Sequence, residues 1–365
     1  MNILVIGNGF DLAHNLPTKY TQFLEWIVSE AEFLEDLMIS GNKFDDDLSN
    51  FQFYIPDYKK RKMYTKTVIN HQEEVWRCIN NNIWLEYFLH LQIEIDKKEN
   101  WIDFENEICK VIKSLESDMR TSRINVDAYI EFFSNDFFKV YFGEDGGKKR
   151  IKSTMTYKQL INRLEYDLDN LIRAFELYLT EYVEMFDIYL LSLEIEDLEL
   201  DYVISFNYTD TFEKVYGKKV EFDYIHGKAG KSNMVIGINE YLEDDRKDKD
   251  IEFIVFKKFY QRIYKETGCK YKMWIDEIKS DHKKYHDLYI FGHSLDITDG
   301  DVLRDLILND NVYTTIYYLN KDVMGRQIAN LVKVIGQDEL IKRTGGNTKT
   351  IEFKHQEDMV EMWRK

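Results

Sequence analysis

The sequence predicts an α/β protein: a Rossmann-like, mostly parallel sheet that carries a large all-helical insertion. Three observations predict it. The chain opens on a continuous apolar run, residues 2–6 (NILVI), stopped by Gly7. Such a run reads as a parallel strand buried on both faces. Residues 21–200 then keep a helical apolar period. From 201 onward short apolar runs return and alternate with helical stretches, the pattern of βαβ units. The expected organisation is a sheet domain built from 1–20 plus 201–365, with 21–200 as a helical insertion domain.

Each element follows in order. After the first strand a helix is expected from about Asp11. In the insertion, apolar stripes run through 24–38, 72–96, 101–118 and 127–142. The clearest stripe is Leu160, Leu164, Leu168, Leu171, Phe175 and Tyr182, spaced by three, four and seven. Gly146 and Gly147, set among charged residues, mark a loop. Further strands are expected at 202–206, 222–225, 234–238, 288–291, 312–319 and 351–353. Helices are expected within the charged region 251–285, at 301–309 and over 321–335.

Composition narrows the function classes. The 365 residues are 44% hydrophobic and 15% aromatic, enough for a sizeable core. A charged fraction of 32% excludes a membrane-embedded chain, and the aromatics exclude disorder. A net charge of -17 argues against general nucleic-acid binding, because phosphates must be met by clustered Lys and Arg. Cys78, Cys109 and Cys269 lie far apart and form no CxxC, so neither a disulfide framework nor a zinc ribbon is expected. The N-terminus has no basic flank or cleavage site, and no run of about 18 apolar residues exists. A cytoplasmic protein with no membrane partner is expected.

Four short segments each follow a predicted strand. In open α/β sheets ligands bind outside the carboxyl ends of the strands, so these segments belong to one rim. The first is Gly7, Asn8, Gly9, Phe10 and Asp11, a glycine turn into a helix N-terminus, suited to a diphosphate. The full GxGxxG fingerprint would need glycine where Leu12 stands. The second runs from Ser205 to Asp210. Here Asp210 with Glu213 forms a plausible capping box, and Asn207 faces the rim with both a donor and an acceptor. The third is His226 followed by Gly227, a candidate general base. The fourth is Gly292, His293 and Ser294, then Asp296, Asp299 and Asp301; Asp299 is placed to cap the next helix. Three aspartates also suit a divalent cation, but no matching His or Glu cluster accompanies them, so no metal is expected. His14 lies close to the glycine turn. His71, His90, His282, His286 and His355 fall in helical or charged surroundings and read as surface or packing residues.

The strings NILVIGNGFDLAHNLPTKY, ISFNYTDTFE, YIHGKAG and YIFGHSLDITDGDVL together strongly resemble the AbiH family of bacteriophage abortive-infection proteins. The resemblance spans 2–20 and about 200–305, and the insertion carries no motif of it. The order of glycine turn, strand-Asn, His-Gly and strand-Gly-x-Ser is also similar, more distantly, to sirtuin-type folds, including sirtuin-like NAD hydrolases of antiphage systems. That likeness implies that Gly7, Gly9, Gly292 and Ser294 hold the nucleotide; Asn8, Phe10, Asp11 and His293, in the same two turns, are expected to bind it with them. It implies that Asn207 contacts the nicotinamide ribose or the attacking water, and that His226 is the catalytic base. No zinc ribbon is present, so protein deacylation is not implied.

The function expected is therefore antiphage defence through nucleotide binding and hydrolysis of NAD to nicotinamide and ADP-ribose. NAD is the substrate, and no cofactor is required. The insertion is expected to be a surface for self-association or a regulatory partner. Three other readings stay open: a nucleotide sensor without catalysis, a metal-dependent nuclease using Asp11, Asp296, Asp299 or Asp301, and an interaction protein working through its insertion.

Overall fold

In a computed structural model, the described residues are 1–39, 72–95, 103–121, 127, 155–239, 252–280 and 283–362. The chain divides into two compact units. The first holds Met1–Thr18, Val183–Leu242 and Lys257–Lys365; the second holds Lys19–Tyr182 and Glu243–Phe256. The sheet-bearing unit thus resumes at Val183 rather than at 201. The early stretch is held there by a two-residue strand, β2 (Leu190–Leu191), which pairs antiparallel with β8 (Val360–Glu361).

The first unit is organised by a six-stranded sheet of β1 (Asn2–Ile6), β3 (Tyr202–Ser205), β4 (Glu221–Tyr224), β5 (His286–Phe291), β6 (Val312–Tyr318) and β7 (Ile351–His355). Neighbours run β4-β3-β1-β5-β6-β7, and every pairing is parallel. Counting only these strands in chain order, the arrangement is 3-2-1-4-5-6, the order of the doubly wound dinucleotide-binding fold. The apolar run of β1 explains its central place. Ile3 and Val5 enter one buried cluster with Trp274, Leu303 and Leu331; Leu4 and Ile6 enter another with Phe10, Phe212 and Tyr317. A strand alternates its side chains between faces, so only an all-apolar strand can serve two cores.

The helices are placed where apolar period and caps allow. The segment 321–335 is helical over Lys321–Ile335, and Asn320 caps it by accepting from the Val323 N–H. A helix at Gln337–Thr344 also forms. The short apolar run 234–238 departs from expectation. Met234, Val235, Ile236 and Ile238 are buried, yet the run makes a single bridge, Ile238 to Lys257, and is no strand. Its polar backbone is met by other groups. Tyr208 Oη donates to the Val235 carbonyl, Gln261 Nε2 to that of Ile236 and Lys265 Nζ to that of Met234; the Lys258 N–H donates to the Ile238 carbonyl.

The second unit is helical over Tyr20–Ile39, Gln72–Ile79, Ile83–Ile95, Phe104–Thr121 and Tyr157–Leu177. Leu160, Leu164, Leu168, Leu171 and Phe175 are buried as their spacing requires. Thr156 and Gln159 close a capping box on the last of these helices. Stacked rings fill this unit: Phe88 on Phe104 at 4.0 Å and Tyr20 on Phe104 at 4.2 Å. The stripe at 127–142 and the glycines at 146–147 lie outside the described residues, apart from Asp127. Among the described residues no helix is long and apolar enough to cross a membrane.

The strand order reverses between β1 and β5, and there the two glycine turns press together. The Gly7 N–H donates to the Phe291 carbonyl at 3.2 Å, and the Gly9 N–H to the Gly292 carbonyl at 2.8 Å. Gly292 has φ +68°, and a Cβ there would lie 2.1 Å from the Phe10 nitrogen. Gly217, at φ +55°, faces open space. Gly217→Ala should therefore cost about 1–2 kcal/mol for the left-handed backbone alone. Gly292→Ala should cost more than about 3 kcal/mol, because strain and steric overlap add. Thermal melts of the two variants compare these values, and equal losses would contradict the packing argument.

Candidate functional site at the carboxyl ends of the strands

The turns after β1, β3, β4 and β5 meet at the point where strand order reverses. Two buried polar groupings form there.

The larger centres on Asp299. Its Oδ1 lies 2.9 Å from His226 Nε2 and 2.7 Å from Lys258 Nζ, and its Oδ2 lies 3.5 Å from His293 Nε2. All four residues are at most 8% exposed. Asp299 occupies the N-cap position of the helix Gly300–Ile307, as expected, but its side chain makes no capping bond. Asp296 instead accepts from the Thr298 N–H. Burial alone would raise the Asp299 carboxyl, but the Lys258 ammonium and the bonds from His226 and His293 hold it well below the usual carboxylate range. His226 is pushed down to about 4, by burial first and then by the Lys258 charge, against the pull of Asp299. It is therefore neutral at pH 7.

The tautomers follow from the partners. His293 Nδ1 accepts from the Leu295 N–H at 2.9 Å, so the His293 proton sits on Nε2, facing Asp299. His226 Nε2 faces a carboxylate, which only accepts, so it too carries the proton. That leaves Nδ1 of His226 as the nitrogen with a lone pair to offer. The ring is walled by Phe206 at 5.4 Å and Tyr208 at 6.0 Å between centroids. Gly227, at φ +79°, lets the chain turn directly under Asn233.

The smaller grouping joins β1 to β3. Thr209 Oγ1 donates to Asp11 Oδ2 at 2.6 Å, and Thr211 Oγ1 to Thr209 Oγ1 at 3.0 Å. Asp11 is 1% exposed, and burial raises it to about 6 against the bonds from Thr209 and Thr211. The Asn207 amide lies close enough to help lower Asp11, yet neither of its polar atoms, nor Asp11 Oδ1, makes a hydrogen bond of ordinary geometry. Buried amides in that state are uncommon.

The residues singled out from sequence are thus partly brought together. Gly7 and Gly9 lie against Gly292 and His293, Asp11 lies against Asn207, and His226 shares Asp299 with His293. No hydrogen bond joins His226 to Asn207. The N–H groups of Gly7, Gly9 and Phe10 are bonded within the protein, so the glycines serve close packing of the two turns rather than donating to a diphosphate. The Phe10 side chain belongs to the core. Asn8 Oδ1 accepts from Thr18, and Ser294 is exposed. His14 is a packing residue: Nδ1 meets the Phe10 carbonyl at 2.7 Å and Nε2 meets Tyr216 Oη at 3.2 Å. The expected Asp210–Glu213 capping box does not form. Asp210 makes no capping bond and pairs with Lys214 at 2.8 Å, while Glu213 takes Lys228 at 2.8 Å. Lys258 escaped the sequence reading altogether. The one available signal was its setting, Lys257 and Lys258 between Phe256 and Phe259, where surface lysines would not be expected.

The four aspartates considered for a metal are engaged separately: Asp11 by Thr209, Asp299 by Lys258, Asp301 by Arg262 and Asp296 by a backbone cap. Among the described residues no group of three or more His, Cys, Asp or Glu is placed to hold a metal ion.

The sheet order and the polar residues outside its strand ends define a Rossmann-type α/β protein with a helical second unit. The family model described as "Bacteriophage abortive infection AbiH" matches residues 3–318, and the chain belongs to that family. Membership implies a role in abortive infection by phage. No curated protein and no solved structure gives a match.

The buried histidines predict a pH dependence of stability. His14 and His226 have ordinary values of 6.5 and folded values of about 4. The unfolded chain therefore takes up their protons first, and stability present above pH 6.5 is lost as the pH falls towards 4. Asp11, raised from 3.8 to about 6, acts in the opposite sense over its own range. His14→Gln should reduce the acid-induced loss by up to about 3 kcal/mol, measured by denaturant unfolding across that range. An identical pH slope in the variant would contradict the burial argument.

Proposed function

We propose that the chain binds NAD or a related nucleotide outside the ends of β1, β3, β4 and β5, hydrolyses it to nicotinamide and ADP-ribose, and limits phage growth by depleting it. The observation that carries this reading is His226. It is a neutral, buried imidazole whose Nε2 is tied to Asp299 and whose Nδ1 remains a proton acceptor, at the point where folds of this sheet order hold their nucleotides.

The reaction balances without a further reagent. A water oxygen bonds to C1′ of the nicotinamide ribose, and the bond from C1′ to the pyridinium nitrogen breaks. That electron pair returns to the ring, so nicotinamide leaves neutral. The water proton passes to His226 Nδ1 and then to solvent. Asp299 orients the ring and stabilises the imidazolium that forms. Asn207 and Asp11 supply an unsatisfied donor and acceptors suited to ribose hydroxyls on the β1–β3 side. The close approach of the glycine turns leaves backbone rather than side chains at the β1–β5 rim. Support from family membership extends to the abortive-infection role alone.

Purified protein incubated with NAD should release nicotinamide, measured by chromatography. His226→Gln should lower that rate by about 10²–10⁴-fold while the thermal melt stays within a few degrees of the parent. An unchanged rate would reject His226 as the base. Binding without release by the parent protein would favour the sensor reading instead.

A further inference from the structure

The contact between Lys258 and His226 asks for an account, because both groups converge on one carboxylate oxygen. Lys258 Nζ lies 3.3 Å from His226 Nε2, and both reach the same oxygen, Asp299 Oδ1, at 2.7 and 2.9 Å. An ammonium only donates and a carboxylate only accepts. The shorter contact, to the carboxylate, places the proton on Nε2. An aspartate beside a histidine favours the doubly protonated ring, on which Nδ1 is a donor rather than an acceptor. We infer that Lys258 is a positioning residue that offsets the Asp299 charge and so leaves Nδ1 of His226 as a proton acceptor. The inference rests on the reading of His226 as the base.

No other group around the ring supplies as much of this offset. Phe206 and Tyr208 present rings. His293 faces the far oxygen, Oδ2. Arg262, on the same helix as Lys258, also disfavours the charged ring, but less than Lys258 does, and it is engaged by Asp301. Lys258 is held in place by its backbone as well, since its N–H donates to the Ile238 carbonyl at 2.8 Å. That bond ties the ammonium to the buried, strand-less run 234–238.

The test is an NMR titration of the His226 imidazole in the full-length protein, which needs no substrate. In Lys258→Met the midpoint should rise by at least one pH unit above the parent value. In Lys258→Arg, which keeps the charge, it should move by less than half that. Asp299→Asn gives a second reading if the methionine variant does not fold: with the carboxylate neutralised and Lys258 left alone, the midpoint should not rise. A Lys258→Met midpoint equal to the parent's, an Arg variant shifted as far as the Met variant, or a rise in Asp299→Asn would overturn the inference. In parent and variants the acid limb of nicotinamide release should follow the NMR midpoint. If the midpoint moves as stated but the parent releases no nicotinamide, the role of Lys258 stands and the catalytic reading falls.

Discussion

One buried carboxylate organises the rim of the sheet. Asp299 gathers an ammonium from the helix Lys258–Tyr264, an imidazole from the turn after β4 and a second imidazole from the turn after β5. These pieces are remote in sequence, and a charge at 8% exposure is tolerated only because each oxygen has partners. Removing the Lys258 ammonium would leave the Asp299 charge buried without its cation, at a cost of about 3–5 kcal/mol, far more than an exposed ion pair is worth. The same interaction that fixes these elements therefore also fixes the ionisation of His226. Structure and chemistry at this site are one constraint.

The second constraint is the contact between the glycine turns. A parallel sheet whose order reverses at its centre leaves a crevice there. In this chain the crevice is narrowed from both sides, since the turns after β1 and β5 share a hydrogen bond and leave no room for a Cβ at Gly9 or Gly292. The glycine pattern thus has a packing cause. The polar side chains that gather near it are His226, Asn207 and Asp11.

The fold was legible where one physical signal dominated. The apolar run Ile3–Ile6 of β1 reads as a strand covered on both faces, and the stripe from Leu160 reads as an amphipathic helix. The stripe holds through Phe175, while Tyr182 lies half-buried in a π-helical turn past the helix end. Run 234–238 was illegible because an apolar run shows burial, not partners; its carbonyls are met by Tyr208, Gln261 and Lys265 instead of a ladder. Strands β2 and β8, at two residues each, carry no period to detect. At the site, position was readable and direction was not. Asp299 sits at an N-cap, and Asp210 sits three residues before Glu213, yet in both cases a nearby cation outcompetes the backbone for the carboxylate. Lys258 shows the converse. A lysine in a charged stretch reads as solvated, and only the tertiary fold reveals the buried carboxylate that it answers.

The central claim is that a nucleotide lies across this rim with its scissile ribose within reach of His226. A crystal structure of the protein soaked with ADP-ribose, the product that retains that ribose, tests it most directly. The account predicts the ribose beside the turns after β3 and β4, with its anomeric carbon or attached hydroxyl within about 3.5 Å of His226 Nδ1 directly or through one water. Density for the nucleotide elsewhere on the sheet, or with its ribose turned away from His226 and Asn207, would contradict it.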